Sequence, residues 1–443
     1  MKFVEETEIA FNKPPQTLYI GVLFLLNPIK VQFMAFAEMV DRDMAEKAAQ
    51  KGLCNHCLGR VFAKVGHGMS NEERGEALRE AIPSPIPEKC YLCENLFDEV
   101  DKFSDLVIKK LQLYEYETFL VGSRIDAEIV DREERLWGEV GSEMYEPIKA
   151  EINREVGKLI EKKTGKEVSF DRPDITAVID TRFDNVEIQI ASLFLYGRYK
   201  KLVRGIPQTR WPCKACWGKG CEKCNNTGKM YQTSVEEIVA EKVMEASEGQ
   251  EHSFHGMGRE DIDARMLGNG RPFVLEIKNP VKRFIDLKEM EDKINEHGEG
   301  RVEVSELRKS SKNEVVAIKD AVFPKTYEVD VEFEEPVKNE KLKEVVRAFK
   351  GTTVEQKTPK RVLHRRADMV RSKRVIDIDF ELHDKKGAIF RITGESGIYV
   401  KELIHGDYGR TKPSIAEYLN MKCAIKTLDV THIHDENGGR EAW

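Results

Sequence analysis

Alternation of apolar and polar residues is clearest in the C-terminal half of the chain. In the segment TYEVDVEF, Val329, Val331 and Phe333 alternate with acidic residues, which is the pattern of a half-buried strand. The segment VIDIDFELHDKKGAIFRITG predicts an antiparallel hairpin that turns at Lys385–Gly387. Asn269-Gly270 predicts a further hairpin turn. This half therefore indicates an α+β fold with a mixed, largely antiparallel sheet.

Helical periodicity dominates the N-terminal half. Ser70 followed by Glu73 forms a capping box at the start of SNEERGEALREAI, which predicts a helix. The segment EPIKAEINREVGKLIEKKTG predicts an amphipathic helix that ends at Gly165. FLVGSRID, from Phe119 to Asp126, predicts a strand before it. Residues 96–210 thus alternate strand and helix signals, as in an α/β domain, and a new mixed region begins near residue 231.

One apolar stretch lies near the N-terminus, from Leu18 to Phe36. Asn27, Pro28, Lys30 and Gln32 interrupt it, so it is a poor membrane span. We interpret residues 1–39 as an N-terminal extension whose start is mis-assigned, with the functional chain beginning near Met34 or Met39. A buried strand and an ordinary extension are the alternatives.

Composition indicates a soluble protein of several domains: 443 residues, 34% of them charged, with a net charge of -7. Eight of the nine cysteines form Cys-x-x-Cys pairs, a spacing that suits zinc thiolates better than disulfides and favours a cytoplasmic location. Cys54, Cys57, Cys90 and Cys93 predict a structural zinc site in a module of residues 40–95. Cys213, Cys216, Cys221 and Cys224, in a cysteine knuckle of residues 211–230, predict a second site, with a metal-free connector as the alternative.

Because the whole chain is acidic, nucleic-acid binding has to rest on local basic clusters. One runs from Tyr196 to Met230 and carries interleaved aromatics, and another runs from Lys357 to Arg374. Such clusters favour phosphate backbones, and the aromatics suit RNA bases. The alternative is a solvated face balanced by acids elsewhere. The expected RNA-binding residues are Arg198, Lys200, Lys201, Arg204, Arg210, Lys360, Arg361, Arg365 and Arg366.

Asp261 and Asp263 lie in GREDIDARMLGNGRPF, between glycines and the start of a predicted strand. A loop held in this way can fix one carboxylate rigidly, although a surface carboxylate is the simpler interpretation. This segment resembles the catalytic segment of the pseudouridine synthases, with Asp261 at the position of their essential aspartate. The further segments FPKTYEVDV, QKTPKRVLHRRADMVR and SGIYVKELIHGDYGRTKPS resemble archaeal tRNA pseudouridine synthases that modify uridines 54 and 55 of the TΨC loop.

The resemblance implies an architecture and a set of site residues. After the zinc module it implies a THUMP-like RNA-binding domain at 96–210 that binds the tRNA acceptor end, and a catalytic domain at 231–443. Asp261 matches the nucleophile, Tyr327 the tyrosine that packs on the uracil, and Tyr399 and Lys401 a Tyr-x-Arg/Lys motif whose basic residue pairs with the aspartate. Lys at 401, where most relatives have Arg, cannot form a bidentate fork. Asp263 is expected to be a support.

The implied reaction isomerises uridine without net oxidation, so no catalytic cofactor is expected. The substrate base has to be flipped out of a folded loop, and the expected partner is tRNA, bound by a monomer with no membrane association. Three alternatives remain. A THUMP-containing RNA methyltransferase would need a glycine-rich cofactor loop, which HGMGRED does not match. A non-catalytic tRNA-binding zinc protein would not need Asp261. A zinc hydrolase would need an open metal position, which four cysteines do not leave.

Overall fold

The structure, a computed structural model, describes residues 28–364 and 366–435. The described residues divide into two compact units on either side of residue 190, which we call the N-terminal unit (28–189) and the C-terminal unit (190–435). Within the described residues, no helix has the length and apolar character needed to cross a membrane.

The N-terminal unit combines helices with a small sheet. Its helices are α1 (Pro28–Met39), α2 (Arg42–Ala49), α3 (Asn55–Gly59), α4 (Asn71–Ala81), α5 (Val100–Leu111), α6 (Ala127–Val140) and α7 (Ile148–Thr164). Its strands are β1 (Thr118–Arg124), β2 (Glu167–Val168), β3 (Ile175–Asp180) and β4 (Asn185–Ile190), in the order β2-β1-β3-β4. β1 is parallel to both β2 and β3, as expected for an α/β domain.

Three local predictions for this unit are confirmed. Ser70 and Glu73 cap α4 reciprocally, with Glu73 N donating to Ser70 Oγ at 3.1 Å. α7 ends at Gly165, whose φ of +69° is the left-handed conformation that glycine adopts most readily. β1 occupies the predicted strand. These signals succeed because caps and periodicity act within a few residues of one another.

The boundary predicted at residue 39 is corrected by the position of α1. Phe33 and Phe36 are 8% and 2% exposed and belong to the same apolar core as α3 and α4. Residues 28–39 are therefore an integral helix of the N-terminal unit. The rest of the predicted extension, including Leu18, lies outside the described residues.

A ten-stranded sheet organises the C-terminal unit, in the order β13-β10-β11-β12-β9-β14-β7-β5-β8, with β6 paired to β7. Its strands are β5 (Leu193–Lys201), β6 (Glu251–Gly256), β7 (Ala264–Lys278), β8 (Val302–Lys309), β9 (Lys325–Phe333), β10 (Thr353–Lys357), β11 (Val370–Leu382), β12 (Gly387–Gly394), β13 (Thr411–Lys412) and β14 (Cys423–Ile433). Its helices are α8 (Val235–Ser247), α9 (Leu287–Gly298), α10 (Lys312–Asp320), α11 (Asn339–Phe349), α12 (Val400–His405) and α13 (Ile415–Leu419).

The predicted sheet type is confirmed, because the described strand pairs of this unit are antiparallel apart from β14 with β7. β11 and β12 form the predicted hairpin, and Val329, Val331 and Phe333 on β9 are at most 1% exposed. Two apolar cores pack on the sheet, one with residues of β5, β7 and β8 and the other with residues of β9, β11 and β12, and Tyr327 packs against both of them.

Two sequence predictions are wrong in this unit. The boundary at residue 210 fails because β5 pairs with β7 and β8 inside the large sheet, so the basic run after Arg198 belongs to the C-terminal unit. Asn269-Gly270 is not a hairpin turn but an irregular point inside β7. β7 pairs with β5 on both sides of this point, at Met266 and from Arg271 onward, and it pairs with β14 before Gly268. A Cβ on Gly268 would lie 1.7 Å from Thr431 O, so a second strand backbone takes up that space.

Candidate active site

Asp261 lies in the loop before β7, on the wall of a pocket of about 360 Å³. The pocket is also lined by Tyr327 from β9, Arg361 from the turn after β10, and Tyr399 and Lys401 at the start of α12. The structure therefore brings the two predicted catalytic residues and the two predicted substrate-binding tyrosines together. They come from three separate segments of the chain, and Arg361 comes from a fourth.

Two cations hold the Asp261 carboxylate. Arg361 Nη1 donates to both carboxylate oxygens, at 3.0 and 2.9 Å, and Lys401 Nζ lies 3.4 Å from Oδ2. Burial favours the neutral acid, but the charges of Arg361 and then Lys401 outweigh it, so the pKa of Asp261 is lowered. The carboxylate is thus ionised at neutral pH, as a nucleophile must be.

The guanidinium beside Asp261 is a feature that the sequence did not reveal. Arg361 was expected to contact RNA, but its Nε donates to Glu402 Oε1 at 2.8 Å, and the Glu402 side chain is only 2% exposed. Glu402 fixes one side of the guanidinium while the other side faces Asp261. Arg361 and Asp261 are 100 residues apart, so no local spacing could have indicated the pair.

Lys401 bridges the two aspartates of the motif. Its Nζ lies 2.7 Å from Asp263 Oδ2, closer than its 3.4 Å to Asp261. The Asp263 side chain is 69% exposed, which suits the supporting position that was predicted for it.

Gln356 orients the segment that carries Tyr399 and Lys401, because its fully buried amide accepts a hydrogen bond from Tyr399 N and donates one to Tyr399 O.

Both predicted aromatic residues are partly buried. Burial raises the pKa of Tyr327 to about 12, with the Arg271 charge opposing and the Asp261 charge reinforcing the shift, so its hydroxyl keeps its proton. Tyr399 accepts a hydrogen bond at 3.1 Å from Arg366, an exposed residue that was expected to bind RNA. Lys325, which sequence reasoning missed, also lines the pocket. Burial and the nearby Arg271 lower its pKa to about 8.

A buried ionic cluster contacts the loop that carries Asp261. Glu260, next to Asp261, is 3.0 Å from Arg271 Nε and accepts from Tyr199 Oη at 2.8 Å. Lys201 Nζ is 3.8 Å from Glu260 and donates to the backbone carbonyls of Asp261 and Ile262. These contacts fix the backbone that carries the Asp261 side chain.

Most residues of the basic run on β5 and just after it are buried or paired with acidic residues of the protein. This corrects the prediction that they contact RNA. Lys201 is 0% exposed and Arg198 is 7% exposed, with Arg198 paired to Asp435. Arg204 donates to Asp263 O and is paired with Asp429. Lys200 pairs with Glu303 at the surface, whereas Arg210 and Lys360 are exposed. Lys360 Nζ lies 4.2 Å from the centre of the exposed Tyr408 ring. Arg365 lies outside the described residues.

Both cysteine sets are assembled as predicted. In each set the four sulfur atoms lie within 4.8 Å of one another. Tetrahedral zinc with bonds of about 2.3 Å separates its sulfurs by about 3.8 Å. The observed separations include 3.7 Å for Cys54–Cys93 and 3.8 Å for Cys216–Cys224. In the knuckle, backbone N–H groups of Gly220 and Gly228 also donate to sulfur. Both donor sets therefore fit a structural metal with no open position for water.

Comparison with known proteins shows the family to which this chain belongs. The Pus10 C-terminal family model matches residues 194–434, and the archaeal Pus10 THUMP model matches residues 103–180. The chain belongs to the Pus10 family. A protein of Methanothrix thermoacetophila named tRNA pseudouridine synthase Pus10 is 42% identical, with 86% of this chain and 91% of that protein covered. One of the same name from Methanopyrus kandleri is 40% identical over 91% of this chain and all of that protein.

Solved structures give weaker similarity. A chain in a crystal structure of a Cbf5–Nop10–Gar1 complex is 16% identical, the match covers 45% of each chain, and the TM-score is 0.28.

The Pus10 matches support neither the methyltransferase nor the non-catalytic alternative. Among the described residues, the metal-capable groups are made of cysteine alone, which removes the basis for a zinc hydrolase.

Proposed function

We propose that this Pus10 family member isomerises uridines 54 and 55 of the tRNA TΨC loop to pseudouridine, with Asp261 as its catalytic carboxylate. The observation that carries the proposal is an Asp261 carboxylate kept ionised by Arg361 and Lys401 in a pocket that also contains Tyr327. The curated relatives named tRNA pseudouridine synthases support the same activity.

The reaction needs only groups that the pocket supplies. Asp261 attacks the ribose C1′ or assists departure of the base, and the N1–C1′ bond breaks with its electron pair on N1. The detached uracil turns on the Tyr327 ring, and C5 joins C1′, which releases the Asp261 carboxylate where it had bonded to C1′. C5 then loses its proton and N1 gains one, so atoms and electrons balance without an oxidant. Tyr399, beside Asp261, is our candidate for contacting the base or relaying the C5 proton.

Positive charge on the pocket wall suits the detached base. Lys325 and the fully buried Arg271 both line the cavity that contains Asp261. A detached uracil carries the electron pair of the broken bond, and preorganised cations stabilise such charge where water is excluded. Because the pKa of Lys325 is about 8, this ammonium remains largely protonated at neutral pH. We assign Lys325 and Arg271 to binding the base in its anionic form.

The test of the proposed function uses unmodified tRNA transcript and the full-length chain with no added cofactor. We expect pseudouridine at positions 54 and 55, mapped by carbodiimide-dependent primer extension. Modification at one of the two positions would retain the activity and correct the specificity. A folded protein that binds the transcript but leaves every uridine unchanged would contradict the proposal.

Replacing Lys201 with methionine should slow the reaction without weakening tRNA binding. The ammonium holds the carbonyls of Asp261 and Ile262 from a fully buried position, so its loss shifts the carboxylate instead of an RNA contact. Small misplacements cost on the order of 100-fold in rate, and we expect a 10- to 100-fold lower kcat. Lys200→Met, on the exposed face of the same strand, is the matched control. A weaker salt dependence of binding in Lys201→Met would instead indicate a phosphate contact.

We further propose that zinc occupies both cysteine sets, in a monomer that works in the reducing cytoplasm. All nine cysteines are free thiols, and eight of them form the two metal-capable groups. Elemental analysis of the purified chain should find two zinc ions per chain, and Cys221→Ser/Cys224→Ser should lower this to one. Zinc content that the double substitution leaves unchanged would exclude a metal at the knuckle.

A further inference from the structure

The indole ring of Trp217, in the cysteine knuckle, is exposed to solvent. Trp217 is 81% exposed, although a tryptophan of a folded protein normally buries most of its ring. Its φ of +53° is unusual for a bulky residue, and its backbone N–H donates to Cys213 O at 2.8 Å. The knuckle thus fixes the backbone of a large apolar side chain that has no ring contact among the described aromatic pairs. An exposed ring buries little apolar surface, so its position does not stabilise the fold.

The charge around Trp217 is positive and uncommitted. Lys214, Lys219 and Lys223 are exposed, and none of them forms an ion pair with another residue that the structure describes. By contrast Lys229, at the base of the knuckle, pairs with Glu237. An exposed aromatic ring among free cations is the combination that binds unpaired nucleotides, with the base stacked and the phosphates neutralised. A protein-binding hot spot would more often be depleted of lysine.

The base of the knuckle is joined to the rim of the catalytic pocket. Trp211 begins the knuckle, and its ring lies 4.9 Å from the guanidinium of Arg259, which lines the pocket. Met230 N donates to Trp211 O at 2.9 Å and closes the knuckle at the same point. The projecting Trp217 therefore belongs to an element whose base contacts the rim of the pocket that contains Asp261.

We propose that the cysteine knuckle is an RNA-binding finger on which Trp217 stacks an unpaired base of the substrate, while Lys214, Lys219 and Lys223 contact its phosphates. This inference rests on the proposed function, because it assigns the knuckle to the same RNA substrate. It adds a contact that lies outside the reacting pocket. The metal ligands would serve to hold this finger in shape.

Binding is measured with the full chain, zinc-loaded, in an Asp261→Asn background, so that no turnover is needed. We expect Trp217→Ala to weaken binding of unmodified tRNA transcript about 5- to 100-fold, and Trp217→Phe to retain most of it. Ultraviolet crosslinking followed by peptide mass mapping should place Trp217 on RNA. Unchanged zinc content and circular dichroism confirm that each variant is folded.

Charge is tested separately by replacing Lys214, Lys219 and Lys223 with alanine. The slope of log affinity against log salt should fall by up to about 2. The matched control replaces three other exposed lysines of the C-terminal unit, Lys319, Lys338 and Lys343, and should leave the slope nearly unchanged. Wild-type affinity and slope in both knuckle variants, with no crosslink at Trp217, would overturn the proposal and leave this surface to a protein partner.

These results separate the two proposals. If wild-type protein modifies no uridine but Trp217→Ala still loses tRNA affinity, the proposed reaction fails and the finger stands. If pseudouridine forms normally and Trp217→Ala binds like wild type, the finger fails and the reaction stands. In the active background, Trp217→Ala should raise KM and leave kcat nearly unchanged, because the ring lies outside the reacting pocket.

Discussion

Asp261→Asn is expected to abolish pseudouridine formation while leaving the fold and tRNA binding intact. Asparagine keeps the shape of aspartate and can still accept a hydrogen bond from Arg361, and Arg361 stays anchored by Glu402. It lacks the negative charge needed to attack C1′ or to stabilise a cationic sugar. Removing a covalent nucleophile can cost on the order of 10⁶-fold, and we expect a loss of at least about 10³-fold in kcat. Single-turnover pseudouridine mapping on saturating transcript measures it.

The adjacent position provides the control for this substitution. Asp263→Asn removes a carboxylate of the same loop that contacts Lys401 but is 69% exposed. We expect it to lower the rate by less than about tenfold, in line with a supporting charge pair at the surface. Equal losses for the two substitutions would mean that the loop acts through its total charge. An unimpaired Asp261→Asn enzyme would remove the basis for the mechanism.

Features that depend on neighbouring residues could be predicted from the sequence. The capping box at Ser70, the glycine stop at Gly165 and the cysteine pairs are of this kind, because each is encoded within a few positions. Asp261 was also found, through a long motif. In these cases local chemistry and the final fold point to the same structure.

Features that depend on pairing across the sheet could not be predicted. A basic run looks the same whether its residues face solvent or lie on a central strand, and Lys201 turned out to be fully buried against Glu260. Asn269-Gly270 looks like a hairpin turn, yet β7 continues through it as an irregularity in its pairing with β5. Arg361 was predicted as an RNA contact because nothing near it in sequence shows Asp261 or Glu402.

Neutralising Arg361 should both slow the reaction and make it sensitive to acid. Arg361→Met alone would leave the buried Glu402 carboxylate without its cation, which is destabilising. The better test is therefore Arg361→Met/Glu402→Leu, with Glu402→Gln as the control that keeps the guanidinium. We expect about a 100-fold lower kcat in the double variant, the scale for losing one preorganised charge. The control should stay within about tenfold of wild type.

The pH profile separates electrostatic support from a purely structural contribution of Arg361. Burial alone would raise the pKa of Asp261, and Arg361 and Lys401 are the cations that lower it below its usual value. The reactive form is the carboxylate, so activity is present above this lowered pKa and is lost as pH falls through it. Without Arg361 the pKa rises, and the acid limb of kcat must move to higher pH. Lys401→Met should move it in the same direction but less, because Lys401 is 3.4 Å from Asp261 and shared with Asp263. A slower double variant whose acid limb coincides with that of wild type would show that Arg361 positions the loop and does not hold the charge.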